Sequence, residues 1–117
     1  MPRAATSSDV FNAVAEPQRR AILDLLADHE RPVGELVEAL GLSQPSVSKH
    51  LRVLRQVDLV RARREGRQVL YRTNAGAIRP VHQWAGTFER FWSRQLRRIK
   101  DRAESTYAET TYKEPGR

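Results

Sequence analysis

Residues 43–56, SQPSVSKHLRVLRQ, constrain the fold more than any other stretch, because they specify a helix with a fixed start and two unlike faces. The Ser43 hydroxyl can accept from an early backbone N–H, and Pro45 falls in the first turn, where a missing amide hydrogen costs nothing. At helical spacing Val47, Leu51 and Leu54 form one stripe, while Gln44, Pro45, Ser48, Lys49, Arg52 and Gln56 lie on the other side. One face must pack; the other is short, polar and cationic. A helix that enters a DNA major groove needs small residues near its N-terminus, amide or hydroxyl groups for base edges, and cations for phosphates. An ordinary amphipathic surface helix has the same two faces, so the neighbouring elements decide between the two readings.

Upstream, Ser8 can cap a short helix over 9–15 with Val10, Phe11 and Val14 on one face. Pro17 then suits the first turn of a helix over 17–28, with Ile22, Leu23, Leu25 and Leu26 as its apolar face and His29 at its C-terminal end. Residues 30–33 read as a turn. A short helix over 34–40 turns Leu36, Val37 and Leu40 inward, and Gly41 ends it as a left-handed cap. Leu42 leads directly into Ser43. Two short helices joined by a glycine-containing turn of about three or four residues form a helix-turn-helix, with the second helix in the reading position.

Downstream, residues 59–64 (LVRARR) alternate apolar and basic as an edge strand does, and 68–73 (QVLYRT) supply a partner strand. Glu65, Gly66 and Arg67 make the hairpin loop, with a glycine where a positive φ is needed. A ribbon directly after a reading helix and tipped by Arg63, Arg64 and Arg67 is a wing. A guanidinium at such a tip can enter a narrow minor groove, where the potential is most negative. The plainer reading is a solvated polar hairpin.

The charge distribution favours the wing. The chain of 117 residues carries a net charge of +7. Residues 1–42 hold four basic and seven acidic side chains, whereas 43–73 hold eight basic and two acidic, so the basic excess begins at the reading helix.

Pro80 starts a last helix, expected over 80–106, after a loop over 74–79. Its Val81, Trp84, Ala85, Phe88, Phe91, Trp92, Leu96, Ile99 and Ala103 cover an arc of about 140° at helical spacing. One small domain cannot cover that stripe, so part of it is expected against the same helix of a second subunit. Packing beneath Phe11 and Val14 of the same chain is the alternative. Arg90, Arg94, Arg97, Arg98 and Asp101 form the solvated face. The expected organisation is a disordered arm over 1–7, one domain over 8–106 and a disordered tail over 107–117.

The absence of cysteine excludes disulfides, thiolate metal sites and a cysteine nucleophile. No apolar run suits a signal peptide or a membrane span, so a cytoplasmic location is expected. An enzyme is not expected: on one helix Ser48 and His50 point about 200° apart, and neither a phosphate loop nor a carboxylate pair accompanies them.

The residues Phe11-Asn12-Ala13-Val14-Ala15-Glu16-Pro17-Gln18-Arg19-Arg20, then Ile22-Leu23, Gly34-Glu35-Leu36, SQPSVSKHLRVL, Leu59-Val60, and Glu65-Gly66-Arg67 with Tyr71 resemble the ArsR family of bacterial winged-helix repressors. The likeness runs from about Val10 to Ala103. It implies a mainly α fold with a two-stranded β-wing, and a homodimer paired through first and last helices that reads a palindromic operator on double-stranded DNA. The positions that resemble the family's reading set are Gln44, Ser46, Ser48, Lys49 and Arg52, with Arg64 and Arg67 in the wing and Arg63 beside them. His50 looks like a helix-anchoring histidine. The dimer interface is expected from Phe11, Val14, Trp84, Phe88, Phe91, Trp92, Leu96 and Ile99.

The chain departs from the family's metal sensors. It lacks their cysteines, and the last helix offers only His82 with Glu89, Asp101 and Glu104, whose faces do not converge on a closed His-rich set. No metal, no cofactor and no membrane partner are expected, and no inducer is named by the sequence. Pro32 also stands where a Ser or Thr would complete a capping box with Glu35. The competing readings are a non-specific architectural DNA binder, a repressor with a cysteine-free metal site, and a winged helix used for protein contact.

Overall fold

The computed structural model describes residues 6–112. The helices are α1 (Ser7–Val14), α2 (Pro17–Asp28), α3 (Val33–Leu40) and α4 (Gln44–Gln56), followed by strands β1 (Val60–Glu65) and β2 (Gln68–Thr73), a 3₁₀ turn (Ala75–Ile78), α5 (Arg79–Gly86) and α6 (Glu89–Tyr112). Two compact units divide between His82 and Gln83.

In the first unit α1, α2, α3 and α4 enclose one core. Ile22, Leu26, Leu36, Val47, Leu54 and Leu59 are fully buried there, with Val10, Ala13, Leu51 and Val60 close behind. Burying each large aliphatic side chain contributes about 1.5–3 kcal/mol, against about 1 kcal/mol for a good N-cap. Packing therefore holds α4 in place, and its cap only fixes where it begins. That cap is the expected one, since Ser43 Oγ accepts from the Ser46 amide at 3.3 Å.

The far end of α4 closes without glycine. The Leu59 amide donates to Leu54 O at 2.9 Å and the Asp58 amide to Arg55 O at 3.0 Å, with Asp58 left-handed at φ 61°. This is a Schellman closure, and Leu59 and Leu54 make its apolar contact inside the core. Asn74 Nδ2 donates to Asp58 O at 2.9 Å, which ties the strained residue to the exit of β2.

The hairpin is antiparallel, with Val60 opposite Thr73, Ala62 opposite Tyr71 and Glu65 opposite Gln68. Only Gly66 of the two loop residues has a positive φ, 62°, the sign pattern of a type II′ turn. Thr73 Oγ1 donates to Leu23 O at 2.7 Å and anchors the base of β2 on α2.

Several local expectations need correction. Thr6, not Ser8, caps the first helix: its hydroxyl accepts from the Asp9 amide at 3.3 Å while the Thr6 amide donates to Asp9 Oδ2 at 3.0 Å, a reciprocal capping box. Residues 30–33 are more than a turn, because Arg31 pairs with Tyr71 through two backbone hydrogen bonds of 3.0 Å. The last helix is not continuous. It breaks at Thr87 and Phe88, where the Thr87 and Phe88 amides and the Thr87 hydroxyl turn to the carbonyls of Trp84 and Ala85. Helix α6 continues to Tyr112, past the end expected at 106, and residues 1–5 of the expected arm and 113–117 of the expected tail lie outside the described residues.

In the second unit, Trp84, Phe88, Phe91, Trp92, Leu96 and Ile99 are 43–64% exposed in the single chain. Trp84 and Phe88 meet edge to face at 5.5 Å, and the Arg90 guanidinium lies 4.8 Å from the Phe91 ring centre. No helix among the described residues is long and apolar enough to cross a membrane.

Gly41 joins the two helices of the motif at φ 66°, and a Cβ there meets no atom within 4 Å. Its substitution is therefore penalised by backbone conformation alone. Gly41→Ala is expected to lower the unfolding free energy by about 1–2 kcal/mol, read as a shifted urea midpoint at constant slope.

Candidate nucleic-acid interface

The outer face of α4 is made by the residues its buried stripe leaves over. With Val47, Leu51 and Leu54 in the core, Gln44, Lys49, Arg52, Arg55 and Gln56 are exposed and Ser46 and Ser48 half-buried. Between this face and the hairpin runs a groove of about 430 Å³ lined by Ser48, Leu51, Arg52, Arg55, Gln56 and Tyr71. Ser48 and Arg52, read from sequence, are thus in the groove wall. Gln44, Ser46 and Lys49 lie on the helix outside the wall.

Arg55, Gln56 and Tyr71 line the groove without having been chosen as reading residues. Their signal was available for α4, because 48, 52, 55 and 56 follow the i, i+4, i+7, i+8 rule for one face. Nothing in sequence spacing places Tyr71 there, since its side chain arrives from a strand.

Strand alternation sorts the wing arginines. On β1, Val60, Ala62 and Arg64 share the face that carries Tyr71, whereas Arg61, Arg63 and Glu65 share the opposite face with Leu70 and Arg72. On that opposite face Arg61 and Arg63 are compensated, whereas Arg72 makes no hydrogen bond or ion pair with the described residues. Arg61 Nη2 meets Asp58 Oδ2 at 3.2 Å. Arg63 donates from Nε and Nη2 to the two Glu30 oxygens, each at 2.7 Å, and from Nη2 to Glu65 at 2.8 Å. The Arg63 hydrogen bond holds the Glu30 carboxyl below its ordinary range, and Glu30 in turn raises the Arg63 pKa. Arg52, Arg55, Arg64 and Arg67 make no hydrogen bond or ion pair with the described residues. Of the three wing arginines named from sequence, Arg64 and Arg67 therefore stand as uncompensated cations, and Arg63 does not.

Three other arginines are also structural. Arg19 donates to Ala13 O and Asn12 O, and Arg20 to Val14 O and Ala15 O, so both satisfy carbonyls at the end of α1. Arg31 Nε donates to Leu25 O at 2.9 Å near the end of α2.

His50 fastens α4 to α2. Its Nε2 lies 2.8 Å from Gln18 Oε1, and with the amide oxygen as acceptor Nε2 carries the proton. Nδ1 is buried and has no hydrogen-bond partner among the described residues. Protonating it would place a donor where nothing accepts, and burial first, then Arg19 and Lys49, lower the His50 pKa against the opposing pull of Glu16.

Comparisons with known proteins bear on the family and the fold. Residues 16–62 match the family model described as bacterial regulatory protein, arsR family. The chain is similar to the transcriptional repressor SdpR of Bacillus subtilis (strain 168), 33% identical over 81 residues that cover 69% of this chain and 90% of that protein. In structure it is similar to an ArsR-like transcriptional regulator from Rhodococcus sp. RHA1, with a TM-score of 0.65 and 28% identity over 84% of this chain and 90% of that one. It is also similar to a homodimeric winged helix-turn-helix DNA-binding domain from Mycobacterium bovis, described as a possible ArsR-family regulator, with a TM-score of 0.59 and 34% identity over 70% of this chain and 78% of that one.

A pKa lowered on folding makes His50 stabilising while neutral, so its contribution is present above the ordinary value of 6.5 and lost as pH falls through it. Between about pH 7.5 and about pH 5.5 the melting temperature of the wild type should fall more steeply than that of His50→Gln. Parallel curves would show that His50 does not titrate on folding.

Proposed function

The chain belongs to the ArsR family of bacterial DNA-binding transcriptional regulators, and from that premise we propose that it is a cytoplasmic, homodimeric repressor of a palindromic operator that works without metal sensing. In this reading α4 lies in the major groove and the hairpin tip meets the adjacent minor groove. Gln44, Ser46 and Ser48 face base edges, Lys49, Arg52 and Arg55 face phosphates, and Arg64 and Arg67 serve the wing.

The observation that carries the proposal is the set of uncompensated cations formed by Arg52 and Arg55 in the groove wall on α4, Arg64 on the hairpin face that carries Tyr71, and Arg67 at the hairpin tip. A protein that used this surface for another protein would have no need of unpaired guanidiniums at a hairpin tip. Counterion release from a polyanion gives them a purpose.

Dimerisation rests on the apolar face of Trp84, Phe88, Phe91, Trp92, Leu96 and Ile99. Leaving side chains of this size in water forfeits about 1.5–3 kcal/mol each, and a second copy supplies a matching surface by symmetry. The homodimeric state of the Mycobacterium bovis domain supports this choice. On α1, Phe11 and Val14 are half-buried, so they add at most an edge to the interface. Metal independence rests on ligand chemistry, since the chain has no cysteine to supply a thiolate.

Binding to the duplex upstream of the protein's own gene, against scrambled duplex and with chelator present, tests the whole reading. Two subunits should bind the native duplex selectively, and equal affinity for both duplexes would make the protein an architectural binder instead. Lys49→Ala and Arg67→Ala should each weaken binding and reduce the slope of log affinity against log salt by about 0.9. Phe91→Glu combined with Ile99→Glu should sediment as a folded monomer where the wild type sediments as a dimer.

A further inference from the structure

Arg63 has the sequence signature of a DNA contact and the surroundings of something else. Both Glu30 oxygens are bonded to its guanidinium, and Glu65 closes a third bond. With both Glu30 oxygens and Glu65 bonded to it, the Arg63 charge is taken up within the chain, and Arg72 also acts on Glu30, so this guanidinium is not held ready for a phosphate. The geometry is also directional. Arg31 pairs with Tyr71, so Glu30 lies beyond β2 from Arg63, whose own cross-strand partner is Leu70. The Arg63 side chain therefore crosses β2 and joins β1 to the segment between α2 and α3.

The other polar ties between hairpin and helical body lie nearer its base. They are the Arg31–Tyr71 backbone pair, Thr73 to Leu23, Arg61 to Asp58, and Asn74 to Asp58 and Leu59. Among the described residues the Arg63–Glu30 pair is the polar tie that reaches furthest toward the tip. Glu30, only 26% exposed, is the more fixed partner.

We propose that Arg63 is a positioning residue rather than a DNA ligand: its bidentate bond to Glu30 across β2 sets the angle of the wing and thereby where Arg64 and Arg67 are presented. The proposal rests on the DNA-facing role given to the wing above. It reverses what charge alone dictates for Glu30. Removing an acid near a DNA surface ordinarily tightens binding, whereas removing this acid releases the wing and weakens it.

The test uses the full chain with Glu30→Gln, Arg63→Gln, Arg63→Lys and the Glu30→Gln/Arg63→Gln double variant. In the free protein, amide exchange in 61–65 and 68–70 should accelerate about two- to five-fold in each single variant, the range of a surface ion pair, with no further gain in the double. Operator affinity should fall by a similar factor at an unchanged salt slope. Lysine should not rescue it, because a point charge cannot replace the fork. Tighter binding by Glu30→Gln, full rescue by Arg63→Lys, or a slope reduced by about 0.9 in Arg63→Gln would make Arg63 a phosphate ligand and overturn the proposal. If the wild type bound no DNA at all, the functional reading would fall by itself. The exchange rates would then decide the clamp alone, and unchanged exchange in both Gln variants would refute it.

Discussion

The burial of Val47, Leu51 and Leu54 in one core with Ile22, Leu26 and Leu36 is the contact on which the rest of the molecule depends. A helix has only one orientation that buries that stripe, so the same contact decides which residues of α4 are left outside. It also places Leu54 to receive the Leu59 amide, and the resulting closure aims the chain into β1. The start of the hairpin is thus a consequence of how α4 packs. A cavity in this core would disturb both surfaces of the groove at once.

Electrostatics then refines what packing lays out. The chain is rich in arginine, but arginine does two separate jobs in it. Arg19, Arg20 and Arg31 satisfy backbone carbonyls near helix ends, and Arg61 and Arg63 pair with Asp58, Glu30 and Glu65. A planar guanidinium with fixed donors suits carbonyl and carboxylate acceptors as well as it suits phosphate. What separates the two groups is whether an acceptor of the same chain lies within reach. On α4 and the hairpin the arginines with none among the described residues are Arg52 and Arg55 on α4, Arg64 on the hairpin face that carries Tyr71, Arg67 at the tip, and Arg72 on the opposite face.

That division explains which parts of the molecule could be read in the sequence. The helix-turn-helix was legible because its determinants are local: Ser43 as cap, Gly41 as the left-handed stop, and a 3.6-residue apolar period. The hairpin was legible from alternation around Gly66. The Arg63–Glu30 pair was not legible because the two residues lie 33 positions apart in sequence, and only a fold brings them together. The break in the last helix at Thr87 and Phe88 was hidden for the opposite reason, since apolar periodicity runs through it unchanged. Gly86 was the one local hint, and a single glycine within a strong helical period is a weak one. Tyr71 in the groove was invisible because a strand residue's neighbours depend on where its sheet docks.

The two surfaces of the groove are held with unequal firmness. Helix α4 has a buried stripe, a capped start, a Schellman end and the His50–Gln18 bond to α2. The hairpin is a two-stranded ribbon, a structure of marginal stability by itself, which borrows one backbone pair from Arg31 and a few side-chain ties. Groups on the helix are therefore presented in nearly one geometry. Groups on the hairpin must be ordered when they engage a partner, and that loss of freedom subtracts from what each contact contributes. An exposed ion pair, worth little as a source of global stability, matters more in this setting. The Arg63–Glu30 pair joins β1 to the segment between α2 and α3 beyond the ties at the hairpin's base, where a two-stranded ribbon has little else of its own to hold it.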